Sequence, residues 1–139
     1  MPRFTTRHVG YNLFETAVGD HTVVVDVPLS MGGADRGPTS LQLFVASMGS
    51  CVATFVAQYC DAHAIDTTDM TVDVDFGLAD GPTRLSNVRV QVHLPHAECG
   101  DRIAALRRVA EFCPVHQTIA AAESIEVEIL DRTATPAAT

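Results

Sequence analysis

Between Ser40 and His63 the chain reads SLQLFVASMGSCVATFVAQYCDAH, and its apolar side chains fall at nearly every angle of a helix rather than along one stripe. A helix of that kind must be covered all round. A small sheet covers one side, so the pattern predicts another helix or a second subunit on the other. Thr39 or Ser40 is the natural cap. Further on, the period changes from helical to two: in MTVDVDFGL, Met70, Val72, Val74, Phe76 and Leu78 alternate with Thr71, Asp73, Asp75 and Gly77. The segment DGPTRLSN turns the chain, and VRVQVHL repeats the alternation with Val88, Val90, Val92 and Leu94. These two strands are expected to pair as an antiparallel hairpin.

The N-terminal stretch FTTRHVGYNLFETAVGDHTVVVDVPL is β-branched and aromatic, and Gly19-Asp20 suits a tight turn, which predicts two strands. Residues 31–39, MGGADRGPT, form a loop ahead of the long helix and a candidate rim for a site. Asp101 is placed to cap a second helix with Ile103, Leu106, Val109, Ala110 and Cys113 on one side and Arg102, Arg107 and Arg108 elsewhere. Pro114 disfavours a helical Cys113 and fits the first position of a new helix, so CPVHQTIAAA restarts as a short one. IEVEIL then reads as a final strand with Ile125, Val127 and Ile129 inward, and 130–139 as a frayed tail. The order predicts an α+β fold over a single domain, 1–139, with an antiparallel β-sheet packed on a long buried central helix.

Composition narrows the function. At 139 residues, 47% hydrophobic and 19% charged, the chain can bury one continuous core. A formal charge of -8 without a basic cluster argues against nucleic acid, whose binding is driven by Lys and Arg displacing counterions. All nine basic residues are arginine, which excludes Schiff-base chemistry and a P-loop lysine. The start, MPRFTTRHVG, lacks the pattern of a signal peptide, and no apolar run is read as approaching the ~20 residues that span a bilayer. A cytoplasmic protein with no membrane partner is expected. In that reducing compartment four cysteines are core residues, metal ligands or redox thiols rather than a disulfide framework.

Cys51 and Cys60 stand nine residues apart on one helix, on opposite faces, and cannot serve one site together. Cys60 reads as a packed thiol. Cys99, in PHAECGDR near His93 and His96, reads as part of a solvated loop, since one Cys with two His is a weak zinc pattern. Cys113 differs. At a helix start the free N–H groups and the dipole favour a thiolate, with pKa values lowered from about 8.5 to as little as ~3.5. It also falls on the apolar stripe of the preceding helix, so a core role stays open; His116 could sit over the same turn. For Cys51, burial in mid-helix raises the pKa and suppresses reactivity.

The segment GGADRGPTSLQLFVASMGSC, followed much later by CPVHQTI, resembles the OsmC/Ohr family of peroxide-related proteins. Gly37-Pro38-Thr39, Gly49-Ser50-Cys51 and Cys113-Pro114-Val115 match the family's Gly-Pro turn, its small residues before a helical cysteine and its Cys-Pro context, in that order. The resemblance implies an intertwined homodimer acting as a thiol peroxidase on an organic hydroperoxide. Cys51 would be the peroxidatic residue and Cys113 the resolving one, with the disulfide reduced by an external dithiol. No metal or organic cofactor is implied, because sulfur carries the two electrons.

A thiolate inside an apolar helix needs a cation. Lowering a thiol pKa from 8.5 to 6 raises the ionised fraction at pH 7 from about 3% to about 90%. Without lysine the cation must be arginine or a charged histidine, and Arg36, Arg7 and Arg3 are the candidates. Family members with peroxidase activity hold such an arginine with a glutamate ten residues before the cysteine; here that position is Leu41, and neutral Gln42 beside it cannot replace a carboxylate. Leu41 therefore favours a competing reading, a stress-associated binding or structural dimer with little turnover. A general thiol-disulfide reductase is disfavoured because no Cys-x-x-Cys occurs. Phe44, Met48 and Phe55 are possible walls of an apolar substrate pocket.

Overall fold

In the computed structural model, which describes residues 1–132, the N-terminal stretch folds as three strands rather than two. These are β1 (Thr5–Gly10), β2 (Leu13–Val18) and β3 (His21–Val25), paired antiparallel in that order. The turn at Gly19-Asp20 lies where expected, between β2 and β3. The additional turn is at Tyr11-Asn12, where Tyr11 takes φ 51, in a region non-glycine residues seldom adopt. Gly10 and Asn12 beside it are turn-forming residues, a signal that the sequence reading passed over.

The long helix α1 (Ser40–Ala62) starts where its cap does: Gln42 N–H donates to Thr39 Oγ1 at 3.2 Å, and Thr39 N–H donates to Gln42 Oε1 at 2.9 Å. The reciprocal pair satisfies two amide groups that a helix start leaves free. Val45, Met48, Val52, Val56 and Cys60 are buried, at spacings of three and four that make one stripe. That stripe packs on β4 (Thr71–Ala79), α2 (Ile103–Glu111) and α3 (Pro114–Ala120). Ala46, Ser50 and Thr54 on the opposite face stay exposed, so a single chain covers α1 on one side only. Gly49 sets the closest approach to the sheet: a Cβ there would lie 3.2 Å from Val74 Cγ2.

β4 and β5 (Arg84–His93) form the expected antiparallel hairpin, in a sheet separate from β1–β3. The second strand begins earlier than its alternation suggested, because Arg84–Asn87, read as turn, join the ladder. A register shift between Asp75 and Gly77, with Asn87 at φ 50 on the facing strand, turns the face over there. Phe76 and Leu78 are consequently exposed instead of inward.

Four further expectations are corrected. Asp101 lies in a short 3-10 turn, Gly100–Arg102, and caps nothing through its side chain. On α2, Leu106 is buried and Val109 and Ala110 half-buried, but Ile103 is exposed. Residues 122–130 form no strand, and Ile125, Val127 and Ile129 are 89%, 81% and 85% exposed, because no strand among the described residues pairs with them. Finally, α1 has 23 residues and a most apolar window with mean hydropathy 1.6, so one helix is long and apolar enough to cross a membrane, contrary to the sequence reading. The core helix of a globular protein meets the same two criteria. Of the predicted tail, 133–139 lie outside the described residues.

The chain exposes 10750 Å², against about 7,000 Å² for a compact monomer of this length. Its N-terminal sheet makes little contact with the helices, and most of its residues are exposed.

Candidate functional site

Two breaks in helical structure bring the opening thiol of α3 to the middle of α1. α2 ends at Glu111, and Pro114 forces Cys113 into an extended conformation (φ -51, ψ 128) before α3 begins. Cys113 is thereby turned inward and fully buried, in a cluster with Val52, Val56, Cys60 and Leu106. Half-buried Cys51 and Val115 pack against the same cluster. The Cys51 thiol lies beside that of Cys113, with the Val115 backbone amide next to the Cys51 sulfur. Both sulfurs are free thiols.

Burial pushes the Cys51 thiol up, the Cys113 sulfur raises it further, and only the Val115 amide acts in the other direction. Among the described residues no cation acts on it. The expected arginine is therefore not supplied within one chain: Arg7 Nη2 is 2.6 Å from Glu15 Oε2 on the β1–β2 surface, and Arg36 Nε is 2.8 Å from Asp26 Oδ2. Both have carboxylate partners elsewhere in the fold. Within one chain, burial and the neighbouring Cys113 thus hold the Cys51 thiol above the ordinary cysteine range without a cation to offset them.

Asp26 went unnoticed in the sequence. It is completely buried, yet its carboxylate accepts hydrogen bonds from Val27 N–H, Ala34 N–H, Arg36 N–H and Arg36 Nε. Arg36 beside it, aided by the three amides against the cost of burial, holds its pKa at about 2. This one carboxylate folds residues 27–36 into a closed loop. The loop also needs its glycines: a Cβ on Gly33 would collide with Val27 O, and one on Gly37 would come within 2.7 Å of Val24 O. Asp26 N–H in turn donates to Pro38 O at 3.2 Å, so the loop sets the entry to α1. The available signal was an acid between Val25 and Val27 with an arginine ten residues on.

An apolar cavity of about 570 Å³ lies between α1, β5 and α3. Phe44 and Met48 line it as foreseen, with Val52, Val90 and His116; Phe55 does not. Cys99, read as part of a solvated loop, is instead half-buried against the cluster that contains Cys60.

The family model described as OsmC-like protein matches residues 32–129. The chain belongs to the OsmC-like family. The match spans α1, the β4–β5 hairpin and both cysteine-bearing segments. This OsmC-like chain also shares its fold with solved structures. An organic hydroperoxide resistance protein OsmC from Legionella pneumophila is 21% identical with a TM-score of 0.63, over 86% of this chain and 90% of that one. An OsmC-like protein from Mycoplasma pneumoniae gives 16% and 0.67, over 86% and 87%. An organic hydroperoxide resistance protein from Elizabethkingia anophelis gives 19% and 0.61, over 85% and 89%. No curated protein matches the sequence. At these identities what is shared is the OsmC-like fold.

Proposed function

We propose that the protein is a cytoplasmic, homodimeric thiol peroxidase that reduces organic hydroperoxides through Cys51 and Cys113. The observation that carries this reading is the packing together of two free thiols from distant parts of the chain, one of them half-buried and the other fully buried. Two of the structural relatives, from Legionella pneumophila and Elizabethkingia anophelis, are organic hydroperoxide resistance proteins.

The Cys51 thiolate attacks the outer oxygen of the hydroperoxide; the O–O bond breaks, and the alkoxide leaves with a proton as the alcohol. Cys51 is then a sulfenic acid. The Cys113 sulfur attacks it, water departs, and the Cys51–Cys113 disulfide forms without large movement. An external dithiol restores both thiols by exchange. The apolar cavity beside Val52 and His116 suits a hydrocarbon substituent on the peroxide.

The cation that ionises Cys51 comes, in this reading, from an arginine of a second copy. Support for a dimer lies in the large exposed surface, the uncovered faces of α1, and the unpaired alternating segment 124–130. Fully reduced protein should lose two hydrogens per subunit on treatment with one equivalent of organic hydroperoxide, and the loss should map to linked peptides carrying Cys51 and Cys113. Persistence of two alkylatable thiols at those positions would overturn the proposal. A second reading, a family-shaped dimer with little turnover, is favoured by Leu41 and by the raised pKa of Cys51; it is separated from the first by steady-state consumption of hydroperoxide with excess dithiol.

A further inference from the structure

We propose that Cys60 and Cys99 form a second redox-active dithiol, with Cys99 as the thiol oxidised by an organic hydroperoxide and Cys60 as its resolving partner. Cys99 lines a cavity of about 540 Å³ where the residues after α1 face the loop before α2. Cys60, completely buried in the last turns of α1, anchors the cluster against which Cys99 packs.

Local hydrogen bonds hold the two segments together. Arg102 Nη1 donates to the hydroxyl of Tyr59, the residue before Cys60, at 3.2 Å. Arg102 N–H donates to Cys99 C=O at 2.9 Å, while His63 and Ile65 N–H groups donate to Cys60 C=O at 3.2 and 2.9 Å. The peptide around each cysteine is thus fixed, and Arg102 bridges them. Arg102, His63 and His96 line the cavity together with Asp66, Glu98 and Asp101, so a leaving alkoxide meets the Arg102 cation.

Burial, and then the charge of nearby Cys99, push the Cys60 thiol up. Cys60 is accordingly the protonated, enclosed member and Cys99 the one a peroxide reaches. The Cys99 thiolate attacks the hydroperoxide, forming a sulfenic acid and releasing the alcohol. The Cys60 thiol then attacks the Cys99 sulfur, its proton leaves with the hydroxyl as water, and a disulfide forms. Along α1 Cys51 and Cys60 are about 13.5 Å apart, from nine residues at 1.5 Å each, too far for direct exchange between those two thiols. The second pair is therefore separate from Cys51, although Cys60 shares its buried cluster with Cys113, and it ties the end of α1 to the loop that leads into α2.

The test uses the wild-type protein, reduced and then treated with increasing cumene hydroperoxide, with remaining thiols alkylated before digestion without reductant. Because the chain has no lysine, Cys51 and Cys60 share the tryptic peptide 37–84, and chymotryptic cleavage after Phe55 or Tyr59 is needed to separate them. A linked pair carrying Cys60 and Cys99, accompanied by a total loss of four hydrogens per subunit, is expected. Cys99→Ser should remove that pair and halve the loss while the Cys51–Cys113 link still forms. Cys60 remaining fully alkylatable at excess peroxide, Cys99 accumulating as an unpaired sulfinic acid, or Cys99 linking only between subunits would each overturn the proposal. Because the two links are read on different peptides, failure of one is distinguishable from failure of the other.

Discussion

The thiol of Cys51 lies beside the thiol of Cys113, although 62 positions of chain separate them. The meeting depends on Pro114, which breaks the α2–α3 run at Cys113, and on the side of α1 that faces that break. Cys51→Ser is expected to reduce hydroperoxide consumption to the uncatalysed background. Cys113→Ser should leave one turnover per subunit and then stop, because the sulfenic acid lacks its partner. Stopped-flow consumption with a single equivalent, compared with steady-state assay under excess dithiol, separates the two outcomes.

The sequence carried the long helix, its Thr39 cap, the β4–β5 hairpin and the restart at Pro114 because each has a local signal: period, capping residue or proline. It carried the cysteine pair only through resemblance, since no spacing rule joins positions 51 and 113. What it missed is mostly nonlocal. The turn at Tyr11-Asn12 rests on a backbone angle that tyrosine rarely takes, and the face change at Phe76 depends on an extra residue in the opposite strand. Asp26 looked like one acid among 17 acidic residues until four donors were seen to converge on it. Cys99 looked solvated because its partner surface comes from α1, far away in the chain.

The reactivity of Cys51 should depend steeply on pH. Its pKa is raised in the single chain, by burial first and by Cys113 second, so the thiolate fraction grows about tenfold per pH unit below that pKa. If a second copy delivers an arginine, the midpoint falls. Rates of iodoacetamide alkylation at Cys51, followed by peptide mapping from pH 5 to 10, are expected to show a midpoint below about 8.5, the ordinary value for cysteine. A midpoint above it would support the low-turnover reading.

Leu41→Glu should strengthen the same effect. The position lies in the exposed first turn of α1, where a carboxylate is favourable to the helix by about 0.3–1 kcal/mol and can hold an incoming arginine. Each unit by which the Cys51 pKa falls raises its thiolate fraction roughly tenfold below that pKa. The expected result is faster alkylation and faster peroxide turnover at pH 7, with Leu41→Gln as the neutral control showing neither.

Asp26 makes the loop before α1 sensitive to acid. Its folded pKa of about 2 lies below the ordinary 3.8, so its stabilising contribution is complete above 3.8 and is lost as pH falls through 2. Thermal unfolding of the wild type should show Tm declining across that interval. Asp26→Asn should lower Tm at neutral pH, because one of the carboxylate's acceptor oxygens is replaced by a donor facing the Ala34 and Arg36 N–H groups, and should flatten the decline. Unchanged acid dependence in the variant would move the sensitivity to other carboxylates.

The segment 124–130 should find its ladder in a second copy. Ile125, Val127 and Ile129 alternate with Glu126 and Glu128, the pattern of a half-buried strand, yet all three apolar side chains are exposed in the single chain. Fully burying an isoleucine or valine is worth about 1.5–3 kcal/mol, and each 1.4 kcal/mol changes a dissociation constant about tenfold. Val127→Asp is therefore expected to weaken self-association by at least about tenfold, measured by sedimentation equilibrium, while far-ultraviolet circular dichroism retains the helical signal of α1. The helical signal should persist because the segment makes no contribution to the helices that bury Cys113. Loss of the dimer should also slow alkylation of Cys51 at pH 7, since under the proposed function separation removes the arginine of the second copy.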